Sequence, residues 1–363
     1  MSAQKKWNLQ SFPSGSTLFG TNSTYTITCA GDNTFVNLNQ ADLILTISAV
    51  GLGANSYGIT RPSTAWISQI NTTVQYITKD GPQIVNYNGY NNRGVAANAL
   101  EILEYSGVKF EQYDALEYLT PVAGLTDVNF DVVIPLKFLA DVAYDAQLLN
   151  IDYISFNISF EPQSRIFTTT STTPVVFNTP RLDIKYPTIT TTSADLIPAH
   201  VREIPNRQVY VQNIDLLAGV SAANTQVSVP FPCSVLYYFF ISNGGSTYNM
   251  NPNPSSAVTN HSLTSMGETF PLISNYNSVM TTPTSGVGMK RHFMELMDIS
   301  GKDRPENNST LTYPTWLNTN RIYTIEVGVE HHAGQNFNFA ANFSTTTTVP
   351  STCVMVFLGR RII

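Results

Sequence analysis

This chain has little charge. Asp, Glu, Lys and Arg together make up 12% of its 363 residues, against roughly 25% in ordinary soluble domains. Solitary soluble proteins keep charge outside for solubility, so a polar but weakly charged exterior points to surface that neighbours cover. An extracellular lectin-like protein shares that look. The net charge is −6 and the basic residues are scattered, with only Lys5 and Lys6 among the first residues. A long basic arm of the kind that neutralises packaged nucleic acid is missing, so direct genome binding is not expected.

Cysteine is scarce and odd in number: Cys29, Cys233 and Cys353. Their spacing gives no metal pattern and no disulfide framework, and it reads as three buried or half-buried thiols made in a reducing compartment. Residues Met1 to Trp7 carry no apolar signal region, and no run approaches the roughly 18 apolar residues that span a membrane. Cytosolic synthesis without a signal peptide is therefore expected.

Catalytic and metal-binding motifs are equally thin. Gly51, Gly53 and Gly58 follow a strand pattern, but Pro62 comes next instead of a helix, so they read as turns and not as a dinucleotide loop. Ser14-Gly15-Ser16 and Ser285-Gly286 do not form a nucleophile elbow. Asp141 and Asp145 stand four apart in a helix-like stretch, a spacing that puts both on one face, usually the solvent face. Glu330-His331-His332 is the best metal pattern. On a strand its two imidazoles point to opposite sides, and no third ligand is near. His200, His261 and His292 are isolated in sequence and read as structural. The expectation is no catalytic residue, no metal ligand, no cofactor-binding residue and no enzyme activity.

What the chain does have is strands, and one plan used twice. Residues 151–160 alternate Ile154, Phe156, Ile158 and Phe160 against Tyr153, Ser155, Asn157 and Ser159, the signature of a half-buried strand on a sandwich core. Similar runs lie at 24–29, 42–50, 66–77, 208–216, 224–230, 234–241, 321–329, 336–343 and 352–358. Residues 81–106 run from Gly81 through Asn86-Tyr87-Asn88 into a short amphipathic helix with Val95, Ala99, Ile102 and Leu103 on one face and Gly107 as its stop. Residues 267–297 repeat this from Gly267 through Asn275-Tyr276-Asn277 to a helix with Met289, Phe293, Leu296 and Met297 on one face. Each stripe is read as packing against a sheet. Residues 164–205, with the Thr168 to Thr173 run, a strand pattern around Arg181 to Ile184, a second threonine run and then Pro198 and Pro205, read as an extended connector. The expected organisation is an arm at 1–20, a first β domain at 21–165, the connector at 166–205 and a second β domain at 206–363.

Several segments carry a family likeness. They include Trp66 to Asn71 leading to Gly81, Ile134-Pro135-Leu136-Lys137-Phe138-Leu139 before the 149–161 strand, and Gly267-Glu268-Thr269-Phe270-Pro271 before the second helix. Leu311 to Leu317, Arg321 to Ile325, Phe337-Asn338-Phe339 and Val354 to Ile363 continue it. On these the chain resembles the double jelly-roll major capsid proteins of the tectivirus, adenovirus, virophage and Polinton-like lineage. The resemblance implies an all-β fold of two jelly-roll sandwiches in tandem with short helices in the inter-strand loops. It also implies a structural protein of the virion whose homotrimers form pseudo-hexameric capsomers that tile an icosahedral capsid. Its partners would be other copies of the chain, neighbouring capsomers, penton and minor capsid proteins and, where the virus has one, an internal membrane. Lys5, Lys6 and Trp7 would either reach the inner side, toward that membrane or a minor protein, or form a mobile tail that contacts neither. Two alternatives stay open: a single jelly-roll capsid protein with a projecting domain, and a carbohydrate-binding β-sandwich served by its aromatic residues, 11% of the chain.

Overall fold

The computed structural model describes residues 3–13, 18–29, 34–50, 57–78, 81–87, 91–104, 127–143, 147–149, 151–169, 176–191, 205–243, 248–270, 287–300, 311–327 and 335–362. The chain divides into two compact units, residues 1–98, 111–207 and 362–363 in one and 99–110 with 208–361 in the other.

The first unit contains strands β1 (Ala3–Pro13), β2 (Asn22–Thr28), β3 (Thr34–Asn37), β4 (Asp42–Val50), β5 (Tyr57–Ile59), β6 (Ile67–Thr78) and β7 (Gly81–Tyr87). After helix α1 (Arg93–Glu104), which spans the division between the units, come β8 (Asp127–Pro135), β9 (Gln147–Leu149), β10 (Ile151–Phe160), β11 (Phe167–Thr169) and β12 (Val176–Thr191). One sheet holds β1-β12-β4-β8, with β3 and β9 as short additions; the facing sheet runs β2-β10-β6-β7. The second unit contains β13 (Pro205–Leu216), β14 (Ala222–Val229), β15 (Cys233–Ser242), β16 (Val258–Ser265) and β17 (Glu268–Phe270). Helices α2 (Val287–Ile299) and α3 (Tyr313–Asn318) follow, then β18 (Ile322–Glu326), β19 (Gln335–Phe343) and β20 (Ser351–Ile362). Its sheets run β13-β20-β15-β18 and β14-β19-β16-β17.

Numbering the eight principal strands of each half from one to eight gives the same order twice: one-eight-three-six in one sheet and two-seven-four-five in the other. That is the antiparallel jelly roll. Both long helices fall at the same place in this plan, between the fifth and sixth strands, and Gly81 and Gly267 both precede or open the fifth strand. The β16–β17 turn is two residues long, with Met266 at φ +50° and Gly267 at φ +85°, the primed geometry that matches strand twist.

Alternation builds each core. In β10, Ile154, Phe156, Ile158 and Phe160 are buried and Ser155, Asn157 and Ser159 are half-exposed; a register shift between Ile151 and Tyr153 lets Ile151 be buried as well. Leu43, Leu45, Ile47 and Ala49 of β4 do the same from the facing sheet. Buried tryptophans each find an acceptor for the indole N–H: Trp66 donates to the Arg61 carbonyl (3.0 Å) and Trp316 to the Ile322 carbonyl (2.7 Å). Val95, Ala99, Ile102 and Leu103 of α1 are buried, as are Met289, Leu296 and Met297 of α2, so both stripes are packing faces; Gly107 lies outside the described residues.

Two segments differ from the sequence-based expectation. Residues 3–13, read as part of an arm, form an edge strand paired with β12 from Ala3↔Thr191 to Pro13↔Arg181. Within the stretch read as a connector, β12 is not a connector but an inner strand of its sheet, flanked by β1 on one side and β4 and β3 on the other. Its prolines argued against a central strand because they remove ladder donors. Pro180 falls in the register shift between Asn178 and Arg181, and Pro187 falls between the β4 ladder, which ends at Lys185, and the β3 ladder, which starts at Thr188. The missing N–H groups therefore sit where that ladder is already interrupted.

Candidate functional site

Among the described residues, a group of two histidines and a glutamate that could hold a metal ion lies inside the second roll. Tyr238 of β15 and Tyr323 of β18 stack with ring centroids 5.2 Å apart, both fully buried. From the facing sheet β16 supplies His261, whose Nδ1 is 2.6 Å from the Tyr238 hydroxyl. Helix α2 supplies His292, whose ring lies 4.9 Å from that of His261 and 5.4 Å from that of Tyr323. Glu295, one turn further along α2, completes a group whose ligand atoms all lie within 4.8 Å of one another.

Local sequence explains each placement. Alternation on β16 buries Val258, His261, Leu263 and Ser265, with a register shift after Val258 that brings His261 into phase. On α2, Met289, His292 and Leu296 share the buried stripe, at spacings of three and four. The helix is held from outside by α3, where Phe293 meets Tyr313 and Trp316 at 5.6 and 5.7 Å. Thr312 caps α3 by accepting from the Thr315 N–H, and Pro314 sits at the start of the helix.

Burial holds both imidazoles neutral. It pushes His261 well below the usual histidine range, with His292 adding to the effect, and lowers His292 to about 4, an effect that an N–H bond to the Val258 backbone opposes. Burial likewise raises Tyr238 well above the usual phenol range. Neutral imidazoles beside a carboxylate can coordinate a cation or relay hydrogen bonds. The sequence left His261 and His292 apart because they are 31 positions apart on a strand and a helix, and only the fold joins them.

Of the other sequence candidates, Glu330-His331-His332, His200, Ser14-Gly15-Ser16, Ser285-Gly286, Gly51, Gly53 and Asp145 lie outside the described residues. Gly58 belongs to β5 and pairs with Thr168. Asp141 is not on a solvent face: it forms an ion pair with buried Arg93, which also donates to the Leu139 carbonyl at 2.9 Å. Cys29 is half-buried and Cys233 and Cys353 are buried; burial pushes Cys29 and Cys233 up to about 12 and Cys353 higher still, so all three are held as unreactive thiols. Lys6 and Cys29 line a cavity of about 310 Å³ with Thr28, Tyr186 and Thr188, an amine and hydroxyls without a carboxylate.

The surface offers a second kind of site. Among the described residues, each principal sheet ends in strands with one unpaired edge, such as β1, β7, β13 and β17. Large apolar side chains are exposed on some of them: Trp7 at 47% and Leu9 at 59% on β1, and Ile84 at 57% on β7. Trp7 is flanked by the Lys5 and Lys185 ammonium groups, 4.7 and 4.8 Å from its ring. Among the described residues, no helix is long and apolar enough to cross a membrane.

No protein-family model and no curated protein matches this sequence. Solved structures do match its fold. A chain in the structure of the Sputnik virophage aligns over 97% of this chain and 86% of its own length, at TM-score 0.60 and 12% identity. The major capsid protein of Sulfolobus turreted icosahedral virus aligns over 100% and 97%, at 0.53 and 10%. The mavirus major capsid protein aligns over 98% and 87%, at 0.51 and 10%. The chain has the double jelly-roll fold of these viral major capsid proteins.

Proposed function

We propose that this chain is the major structural protein of an icosahedral virus shell, assembling as a homotrimer whose six jelly rolls make a pseudo-hexagonal tile. One observation carries this reading: the same eight-strand order occurs in both halves, in a chain that aligns almost end to end with viral major capsid proteins. The surface supports it. Strand edges that are open among the described residues and carry Trp7, Leu9 and Ile84 are a liability in a solitary protein, and burial between copies both covers them and blocks uncontrolled pairing. A closed trimer is one symmetric way to do so.

On this reading the chain acts through contact and not through turnover. Its partners are copies of itself, then neighbouring capsomers, penton and minor capsid proteins and, in a virus that has one, an internal membrane. Its place is the virion, after synthesis in the host cytosol, and genome contact is left to other components.

Light scattering on the purified chain, with negative-stain imaging of the same peak, tests this. The expected particle is three copies of the 39.9 kDa chain, 119.7 kDa together, with a hexagonal outline. A stable 39.9 kDa monomer that never assembles, above all one retained on a glycan array, overturns the capsid reading in favour of a sugar-binding sandwich.

A further inference from the structure

We propose that His261, His292 and Glu295 form a binding site for one divalent transition-metal ion, with zinc the best fit, that fastens helix α2 to strand β16 inside the second roll. The donor set is two imidazoles and one carboxylate, the ligand chemistry of zinc and its neighbours and not of magnesium or calcium, which take oxygen alone. His292 and Glu295 are three apart on one helix and so project from the same side, while His261 faces them from the sheet. Their ligand atoms lie within 4.8 Å of one another. Around a tetrahedral zinc with bonds of about 2.1 Å, ligand atoms sit about 3.4 Å apart, so the widest pair must close by at most roughly 1.4 Å. Glu295, partly exposed and with three rotatable bonds, supplies that movement.

The outer contacts are those that metal-binding histidines use. A ligating imidazole gives its second nitrogen to an orienting group, which fixes the tautomer and the ring plane. The Tyr238 hydroxyl, 2.6 Å from Nδ1, does this for His261 and directs Nε2 to the ion. A bond to the Val258 backbone does it for His292. Three protein ligands leave a fourth position, which a water molecule fills from the side of Glu295. An ion there joins elements from two parts of the roll, α2 and β16, so it acts as a staple. Tyr238 is a positioning residue in this arrangement.

The test uses the full chain, stripped with a chelator and then titrated with zinc by calorimetry and with cobalt by visible absorption. The expected result is one equivalent bound per chain, with a cobalt spectrum of four-coordinate type and a rise in Tm on adding zinc. Glu295→Gln, nearly isosteric and at a partly exposed position that spares the fold, is expected to weaken zinc binding by about 100-fold or more. Tyr238→Phe keeps the ring and is expected to cost about tenfold. Absence of binding with an unchanged Tm overturns the proposal, as does an unaltered cobalt spectrum in folded Glu295→Gln. The readout is the same for a monomer or a trimer, so it stands or falls separately from the capsid reading.

Discussion

Asp42 carries a carboxyl into the half-buried face of β4, opposite Lys185 in the β12 register. Burial pushes its pKa up, from 3.8 to about 6, and the attraction of Lys185 only partly offsets this. The direction sets a pH dependence opposite to that of most carboxylates. Below the unfolded value both states are protonated and the group costs nothing. As pH rises from 3.8 toward 6 the unfolded chain releases its proton first, so stability falls through that window. Above it the cost is constant. Asp42→Asn should therefore raise the denaturant midpoint at pH 7 and leave it nearly unchanged below about pH 4. A gain of equal size at both pH values would show that shape, and not ionisation, is what the position senses.

Among the elements, α1 is the one whose start is most tightly fixed. Gly94 lies against the backbone of the turn before β6, where a Cβ would fall well inside contact distance of the Thr64 and Ile67 carbonyl oxygens. Alanine favours helix over glycine by about 1 kcal/mol, yet here the clash is with backbone that cannot rotate away. Gly94→Ala is expected to destabilise by about 2 kcal/mol or more in urea unfolding, and a stabilising effect would mean the helix stands off the turn. Sequence made most elements legible wherever one face was apolar, as in β4, β10 and both long helices. The repeat of a glycine followed by a helix marked the helical insertion in each roll, but not the short fifth strands, β7 and β17, that the glycines open or precede. β1 and β12 were obscured because their composition is that of linkers. Lys5, Lys6 and Pro13 on the one, and Pro180, Pro187 and a run of threonines on the other, speak against a sheet until the register shows where the prolines fall. The pairing of His261 with His292 was not legible at all. Each imidazole occupies an apolar stripe of its own element, and nothing local to either points to the other.

At the scale of the whole molecule, the two halves of the sequence reach one strand order, and they do so with few charges. A jelly roll asks for alternation, turns and two packed faces, and amide and hydroxyl side chains satisfy the outward positions as well as charged ones do. Association between copies of such a surface must rest on burial of apolar groups and on paired amides and hydroxyls, because few ion pairs are on offer. Salt then separates the possibilities. Ion pairs at an exposed rim weaken as the Debye length falls from about 10 Å at 0.1 M to about 3 Å at 1 M, whereas apolar burial does not, and sulfate strengthens it. If the chain assembles as the proposed trimer, that trimer is expected to keep its mass by light scattering from low salt to about 1 M sodium chloride, and to dissociate at a lower concentration of protein when sulfate replaces chloride. A trimer that falls apart as sodium chloride rises would place its cohesion on the scattered Lys, Arg, Asp and Glu residues, and the charge-poor exterior would then need another cause.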